Sequence, residues 1–204
     1  MVMKPDYTPN GPTAPNALRQ ALRRARRALD APVRRRHARA LSRRLGRDLR
    51  FLRARRIGAY LATDGEMDPA PLLARAGARH IYLPVLRPHP ERTLWFIRHR
   101  PGDRLLPNRY GIPEPTLRGR HILPPWHLDL LLVPLVGFDP RGHRLGMGGG
   151  FYDRSLAYLR HRRHWRRPLL VGLAHECQRV PELPLQAWDI PLDLVATEER
   201  IYSR

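Results

Sequence analysis

Six short apolar runs, separated by helical or loop segments, constrain this chain more than any other feature. They are IGAYLA (57–62), HIYLPVL (80–86), LWFIRH (94–99), DLLLVPLVGF (129–138), LLVGLAH (169–175) and DLVAT (193–197). Most are continuously apolar and do not alternate with polar residues. That pattern marks strands buried on both faces, as parallel strands are when helical crossovers lie on either side of the sheet. A helix is expected near 69–77, between the first two runs. The expectation is therefore an α/β domain.

Upstream, residues 1–15 hold Pro9, Gly11, Pro12 and Pro15 without apolar periodicity, so they read as a flexible leader to a single domain spanning 16–204. Asn16 is placed to cap a first helix, on which Leu18, Leu22, Ala25 and Leu29 recur at helical spacing while arginines take the other face. Asp30 and Pro32 open a second helix, with Val33, Leu41, Leu45, Leu49 and Leu52 on its buried side. The arginines of both helices read as a solvated face. Between about 100 and 127, Pro101, Pro107, Pro113, Pro115, Pro124 and Pro125 make a stretch too long for a simple connection, and it reads as a binding loop.

With 204 residues, 42% hydrophobic and 27% charged, the chain fits one folded domain and excludes wholesale disorder or a fibrous repeat. No apolar run reaches membrane-spanning length, and MVMKPDYTPNGPTAP lacks the apolar stretch of a secretory signal, so a soluble cytoplasmic protein is expected. Cys177 stands alone, which excludes an internal disulfide and a thiolate metal cluster. The formal charge is +20, from 38 Lys and Arg against 18 Asp and Glu, and Lys4 is the only lysine. A field of that sign attracts nucleic acid, anionic membrane or a polyanionic substrate. It also follows from an arginine-biased genome. The competing class is a nucleic-acid-binding protein that uses the arginine-rich helices of 19–56 and the cluster RHRRHWRR at 160–167, with Trp165 available to stack.

The segment PLVGFDPRGHRLGMGGGFYDRSLAYLR (134–160) carries the most chemistry. A strand ends near Phe138, a turn passes through Pro140 and Gly142, and Gly146, Gly148, Gly149 and Gly150 lead into a helix starting near Phe151. Glycines let backbone approach an anion closely, and the free N–H groups of a helix start would point at it. Arg144 is placed to clamp phosphate oxygens, and Asp153 to cap the helix or reach a magnesium ion on a polyphosphate. The segment lacks the lysine of a Walker loop and the register of G-x-G-x-x-G. On spacing alone, a tight strand-to-helix turn explains it equally well.

RLGMGGGFYDR preceded by PLVGFDPRG, together with LRQALRRARRAL, IGAYLATDGEMD, YLPVL, NRYGIPEP and VGLAHECQRVPELPLQAWDIPLDLVAT in that order, resembles the 5-formyltetrahydrofolate cyclo-ligase (5,10-methenyltetrahydrofolate synthetase) family over about 16–202. The resemblance implies a three-layer α/β/α sandwich with a mostly parallel central sheet and an N-terminal helical pair. It implies ATP- and magnesium-dependent cyclisation of 5-formyltetrahydrofolate to 5,10-methenyltetrahydrofolate, through a phosphorylated, imidate-like formyl group and without a protein nucleophile. ATP would be held by Arg19, Arg144, Leu145, Gly146, Met147, Gly148, Gly149, Gly150, Phe151 and Tyr152. Arg144 and Tyr152 would be the catalytic groups. The folate would meet Leu61, Glu66, Tyr110 and the Met147–Phe151 segment, including Gly148, Gly149 and Gly150, and the metal would meet Asp153 and Asp189. The family usually has a lysine four residues before Arg19, where this chain has Pro15; either Arg23 or Arg26 replaces it or nothing does. The resemblance also implies a monomer and leaves nucleic-acid binding at most incidental, while the lack of a long apolar run implies no membrane partner; the alternative within enzymes is another phosphate-handling α/β enzyme with the same glycine turn. His175, beside Glu176 and Cys177, reads as a strand-end residue.

Overall fold

A computed structural model describes residues 14–87, 91–116, 122–161, 167–184 and 186–204. Helices α1 (Ala14–Arg27), α2 (Ala31–Leu45) and α3 (Leu49–Arg53) precede strand β1 (Arg56–Gly58). Helix α4 (Ala70–Leu73), extended by a 3-10 turn over Ala74–Ala76, leads to β2 (His80–Leu86), β3 (Leu94–His99), β4 (Leu105–Pro107), β5 (Pro113–Pro115) and β6 (Ile122–Leu123). Then come β7 (Leu130–Pro134), β8 (Gly137–Phe138), β9 (Arg144–Leu145), α5 (Phe151–Ser155), β10 (Leu169–Leu173), β11 (Leu194–Ala196) and β12 (Ile201–Ser203).

Eight strands form the central sheet in the order β12-β11-β10-β7-β1-β2-β3-β6. The five from β11 to β2 run parallel, and antiparallel strands close both edges. The strict alternation of β7 shows why its sequence reads as continuously apolar. Leu130 and Leu132 pack with Leu41, Leu45 and Phe51 of the helices on one face. Leu131 and Val133 pack with Leu156 and Leu159 on the other. A strand with a core on each side needs no polar residue. The result is the three-layer α/β/α sandwich, with the mostly parallel sheet in the middle.

Several local expectations are corrected. Helix α1 begins at Ala14, so Pro15 lies in its first turn and Asn16 is inside the helix, where its Oδ1 accepts from Arg19 Nη1 at 2.6 Å. The rest of the proposed leader, residues 1–13, lies outside the described residues. Asp30 does cap α2, accepting from Val33 N at 2.7 Å. That helix stops at Leu45, however. Asp48 caps the new helix α3, and the change of direction turns Phe51 inward and leaves Leu49 and Leu52 exposed. The apolar run 129–138 is two elements. Pro134, with no N–H to continue the ladder, ends β7, and Val136 N turns to Leu145 O at 2.8 Å to start the β8–β9 hairpin. Strand β1 is shorter than 57–62, because beyond Ala59 the chain leaves the sheet. The proline-rich stretch contains the β4–β5 hairpin, and β12 adds an edge strand that the apolar pattern does not announce.

Strands β1 and β7 are neighbours whose onward connections run in opposite directions, from β1 to β2 on one side and from β7 to β10 on the other. The loops after β1 and β7 therefore part above the sheet and open a crevice at the carboxyl ends of the parallel strands. No helix among the described residues is long and apolar enough to cross a membrane.

Candidate active site

The crevice is a cleft of about 1140 Å³. Its walls are the loop after β1 (Tyr60, Leu61, Asp64, Glu66), the 108–114 turn, the glycine segment 144–154 and the 183–189 segment. Every residue that the sequence assigns to the site (Arg19, Leu61, Glu66, Tyr110, Arg144 through Asp153, and Asp189) lines this one cleft.

The glycine segment is aimed by Asp139, which is wholly buried. Its carboxylate accepts from the backbone N–H groups of Arg141 (2.9 Å), His143 (3.2 Å) and Leu183 (3.1 Å), and it meets His143 Nδ1 at 2.8 Å. These bonds close the turn between β8 and β9, so the chain re-emerges at Arg144 facing the cleft. Gly148 has φ +93° and Gly150 φ +65°, backbone that favours glycine. At Gly150 a Cβ would also stand 2.6 Å from the Arg154 guanidinium. Helix α5 starts at Phe151 as expected but has only five residues. Its macrodipole is correspondingly small, and the loop N–H groups are the main backbone donors.

Cations surround this loop. Arg19 Nε donates to Gly146 O at 2.9 Å, tying α1 to the glycine segment. The Arg144 guanidinium, with its side chain only 5% exposed, bridges the Asp153 carboxylate and Ile190 O. It therefore joins the glycine loop to the segment carrying Asp189, and in this state it is committed to Asp153 and not free to clamp phosphate. Ile190 N lies 3.5 Å from Asp153 Oδ1, and Asp189 Oδ2 accepts from Gln186 N at 2.9 Å. Among the described residues, each of these aspartates keeps one carboxylate oxygen without a hydrogen bond. Two such oxygens at a cleft rim suit a hard, oxygen-seeking divalent cation.

The opposite end combines apolar side chains, Leu61, Leu83 and Leu86 among them, with the carboxylates of Asp64, Glu66 and Glu114. Glu66 Oε2 accepts from Thr63 N at 3.0 Å, and burial raises the pKa of this group. Tyr60 donates its hydroxyl to Met67 O at 2.5 Å, closing the same loop. Tyr152 is coupled electrostatically to both Glu66 and Arg144; burial, then the Glu66 charge, hold its hydroxyl protonated far above the usual phenol range. Tyr110 stacks edge-on against Phe151 with ring centroids 5.9 Å apart and stands more than half exposed at the mouth.

Sequence reasoning missed the residue that builds this end. Arg26 is wholly buried. Its Nη2 meets Asp64 Oδ2 at 2.7 Å, its Nε donates to Asp64 O at 2.9 Å, its Nη1 donates to Leu135 O at 3.1 Å, and Glu66 Oε1 lies 3.8 Å away. Arg23 and Arg27 also grip Asp64. Burial alone would raise the Asp64 pKa, but the three arginines hold it down at about 2. The solvated-face reading therefore fails for Arg26. Arg26 is therefore not free to take over from a lysine at position 15, and Arg23 places its Nε on Asp64 at 2.9 Å. The signal was present in the sequence, since Arg26 continues the i, i+4 track of Leu18 and Leu22. Asn108, Glu114, Arg154, Arg160 and Trp188 are further lining residues not singled out from sequence. The basic cluster at 160–167 lies largely outside the described residues.

Comparison with known proteins places these features in a family. Residues 13–198 match the sequence model of the 5-formyltetrahydrofolate cyclo-ligase family. The 5-formyltetrahydrofolate cyclo-ligase of Escherichia coli K12 is 46% identical over 153 residues, 74% of this chain and 81% of that protein. The NMR structure of Aquifex aeolicus 5,10-methenyltetrahydrofolate synthetase aligns with a TM-score of 0.76 at 30% identity, covering 93% of this chain and 92% of the other. A 5,10-methenyltetrahydrofolate synthetase from Mycoplasma pneumoniae shares the fold, with a TM-score of 0.68 at 21% identity over 90% of this chain and 98% of its own.

Proposed function

This chain belongs to the 5-formyltetrahydrofolate cyclo-ligase family, and from that premise we propose that it is a ligase of one-carbon metabolism. Its reaction is the ATP-dependent closure of 5-formyltetrahydrofolate to 5,10-methenyltetrahydrofolate, with release of ADP and phosphate. The supporting observation is that one cleft brings together a cation-rimmed glycine loop and a group of apolar side chains (Leu61, Leu83, Leu86) beside the largely buried carboxylate of Glu66, with Tyr152 lining the same space. One end suits a polyphosphate and the other the donor-rich edge of a pterin.

In this reading, the formyl oxygen attacks the γ-phosphorus and ADP leaves. N10 then adds to the activated formyl carbon, loses its proton, and phosphate departs as the ring closes. No protein nucleophile takes part, so the residues act by positioning and by charge. The Gly148–Phe151 backbone holds the phosphates. Arg144 supplies positive charge beside the transferred phosphoryl group, and Tyr152, held protonated, donates a hydrogen bond. Asp153 and Asp189 would hold a magnesium ion, which when bound offsets phosphate charge. Glu66 accepts hydrogen bonds from the pterin edge, and Leu61, Tyr110 and Phe151 pack against its rings.

The direct test mixes purified protein with 5-formyltetrahydrofolate, ATP and magnesium and follows the near-ultraviolet absorbance of the methenyl product. An increase that requires ATP and magnesium is expected; folded protein that gives none would overturn the assignment. Glu66→Gln is expected to raise KM for 5-formyltetrahydrofolate by about 10- to 100-fold, the value of hydrogen bonds to a charged acceptor, and to leave KM for ATP nearly unchanged. Equal effects on both substrates would remove Glu66 from the folate end. Because burial raises the Glu66 pKa, folate affinity should weaken on acidification at a higher pH than an ordinary carboxylate would dictate.

A further inference from the structure

A second cluster of ligating side chains lies outside the cleft machinery. His37 on α2, His175 just after β10 and Glu198 just after β11 come from three separate segments, and one ligand atom from each lies within 4.8 Å of the others. His37 Nδ1 is 3.0 Å from His175 Nδ1 and 3.1 Å from Glu198 Oε1. His175 is wholly buried, and the side chains of His37 and Glu198 are 17% and 12% exposed.

Hydrogen bonding satisfies this arrangement poorly. If the proton sits on His37 Nδ1, one donor must serve two acceptors. If it sits on His175 Nδ1, the His37 lone pair faces a carboxylate oxygen. One divalent cation would use all three lone pairs at once.

We propose that His37, His175 and Glu198 form a zinc site, with two imidazole nitrogens and one carboxylate as protein ligands and water in the fourth position. Tetrahedral zinc with bonds of about 2.0–2.1 Å separates its ligand atoms by about 3.3 Å; the two spacings from His37 Nδ1, 3.0 and 3.1 Å, lie a few tenths of an ångström below that, and the third pair lies within 4.8 Å. Two imidazoles select against magnesium and calcium, which take oxygen ligands, and this separates the cluster chemically from Asp153 and Asp189. The supporting shell is in place. Glu176 N donates to both Glu198 oxygens at 3.1–3.2 Å, and His175 N donates to Gln178 Oε1 at 2.8 Å. The bound ion would clip α2 to the ends of β10 and β11, stabilising the helical layer against the sheet.

The test uses the full chain, stripped with a chelator and dialysed, and titrated with zinc chloride against a competing chromophoric chelator. One zinc per chain is expected, with binding weakened at least 100-fold in His37→Ala and in Glu198→Gln. Zinc should raise the thermal unfolding midpoint of the parent and of neither variant. Cobalt(II) substitution should give the strong visible bands of a tetrahedral site, lost in both variants. Glu198→Gln keeps the side-chain shape, so it reports on ligation even if His37→Ala fails to fold. The proposal is overturned if zinc leaves the parent's midpoint unmoved, or if Glu198→Gln retains parental affinity and stoichiometry.

Discussion

Arg26→Met is expected to destabilise the protein by about 3 kcal/mol, the order of cost for removing one partner of a buried, hydrogen-bonded ion pair. Methionine fills similar volume, so the loss would be one of charge and hydrogen bonds and not of packing. Asp64 would keep Arg23 and Arg27, but the Leu135 carbonyl and the Asp64 backbone carbonyl would each lose a donor. Urea unfolding at neutral pH reads the effect, and a change below about 0.5 kcal/mol, the range of ordinary surface substitutions, would show that Arg26 is not structural. The pH dependence has a definite sign. The folded-state pKa of Asp64, about 2, lies below the unfolded value of about 3.9, so its ion pairs contribute fully above the unfolded value and are lost as pH falls through the folded one. Loss of Arg26 should raise the folded pKa and make the protein lose stability at a higher pH. Because Arg26 also stands beside Glu66, KM for the folate should rise in the same variant.

The second large effect is expected at Asp153. Asp153→Ala should lower turnover by about 10²- to 10³-fold, comparable to removing one preorganised electrostatic group from a transition-state site. The circular dichroism spectrum should be unchanged, since Asp153 sits at the cleft surface in the first turn of a short helix. Two roles are separable by titrating magnesium. If Asp153 holds the metal, the variant requires more magnesium, and Asp189→Ala shows the same displacement. If Asp153 serves only to orient Arg144, the magnesium requirement stays at the parent value while turnover still falls. Full activity in Asp153→Ala would exclude both roles.

Much of this was readable before any coordinates. Strands β2 and β3 fall on their apolar runs residue for residue, because the buried side chains at their centres, Leu83 and Val85 on one and Leu94, Phe96 and Ile97 on the other, have to be apolar. Gly142, Gly148 and Gly150 were legible for another local reason. A positive φ or a close approach excludes a side chain whatever the surroundings, so the residue type reports the backbone directly. The failures share a cause as well. Leu49 and Leu52 look like a continuation of α2 because helical periodicity does not reveal a short break and a new cap at Asp48. Arg26 looks solvated because charge implies exposure only when no partner is delivered, and its partners lie 38 and 109 positions away.

Local sequence therefore determined the α/β class, most of the strand positions, the position of the glycine loop and, through motif resemblance, the family. Each depends on properties carried by neighbouring residues. Only the tertiary structure decided that Arg26 is a buried clamp on Asp64, that Arg144 is held by Asp153, and that His37, His175 and Glu198 meet. Those are pairings between segments remote in the chain. A single side chain's chemistry does not specify them, because the distance and burial that give a charge or a lone pair its partner exist only after the sheet has set the order of its strands.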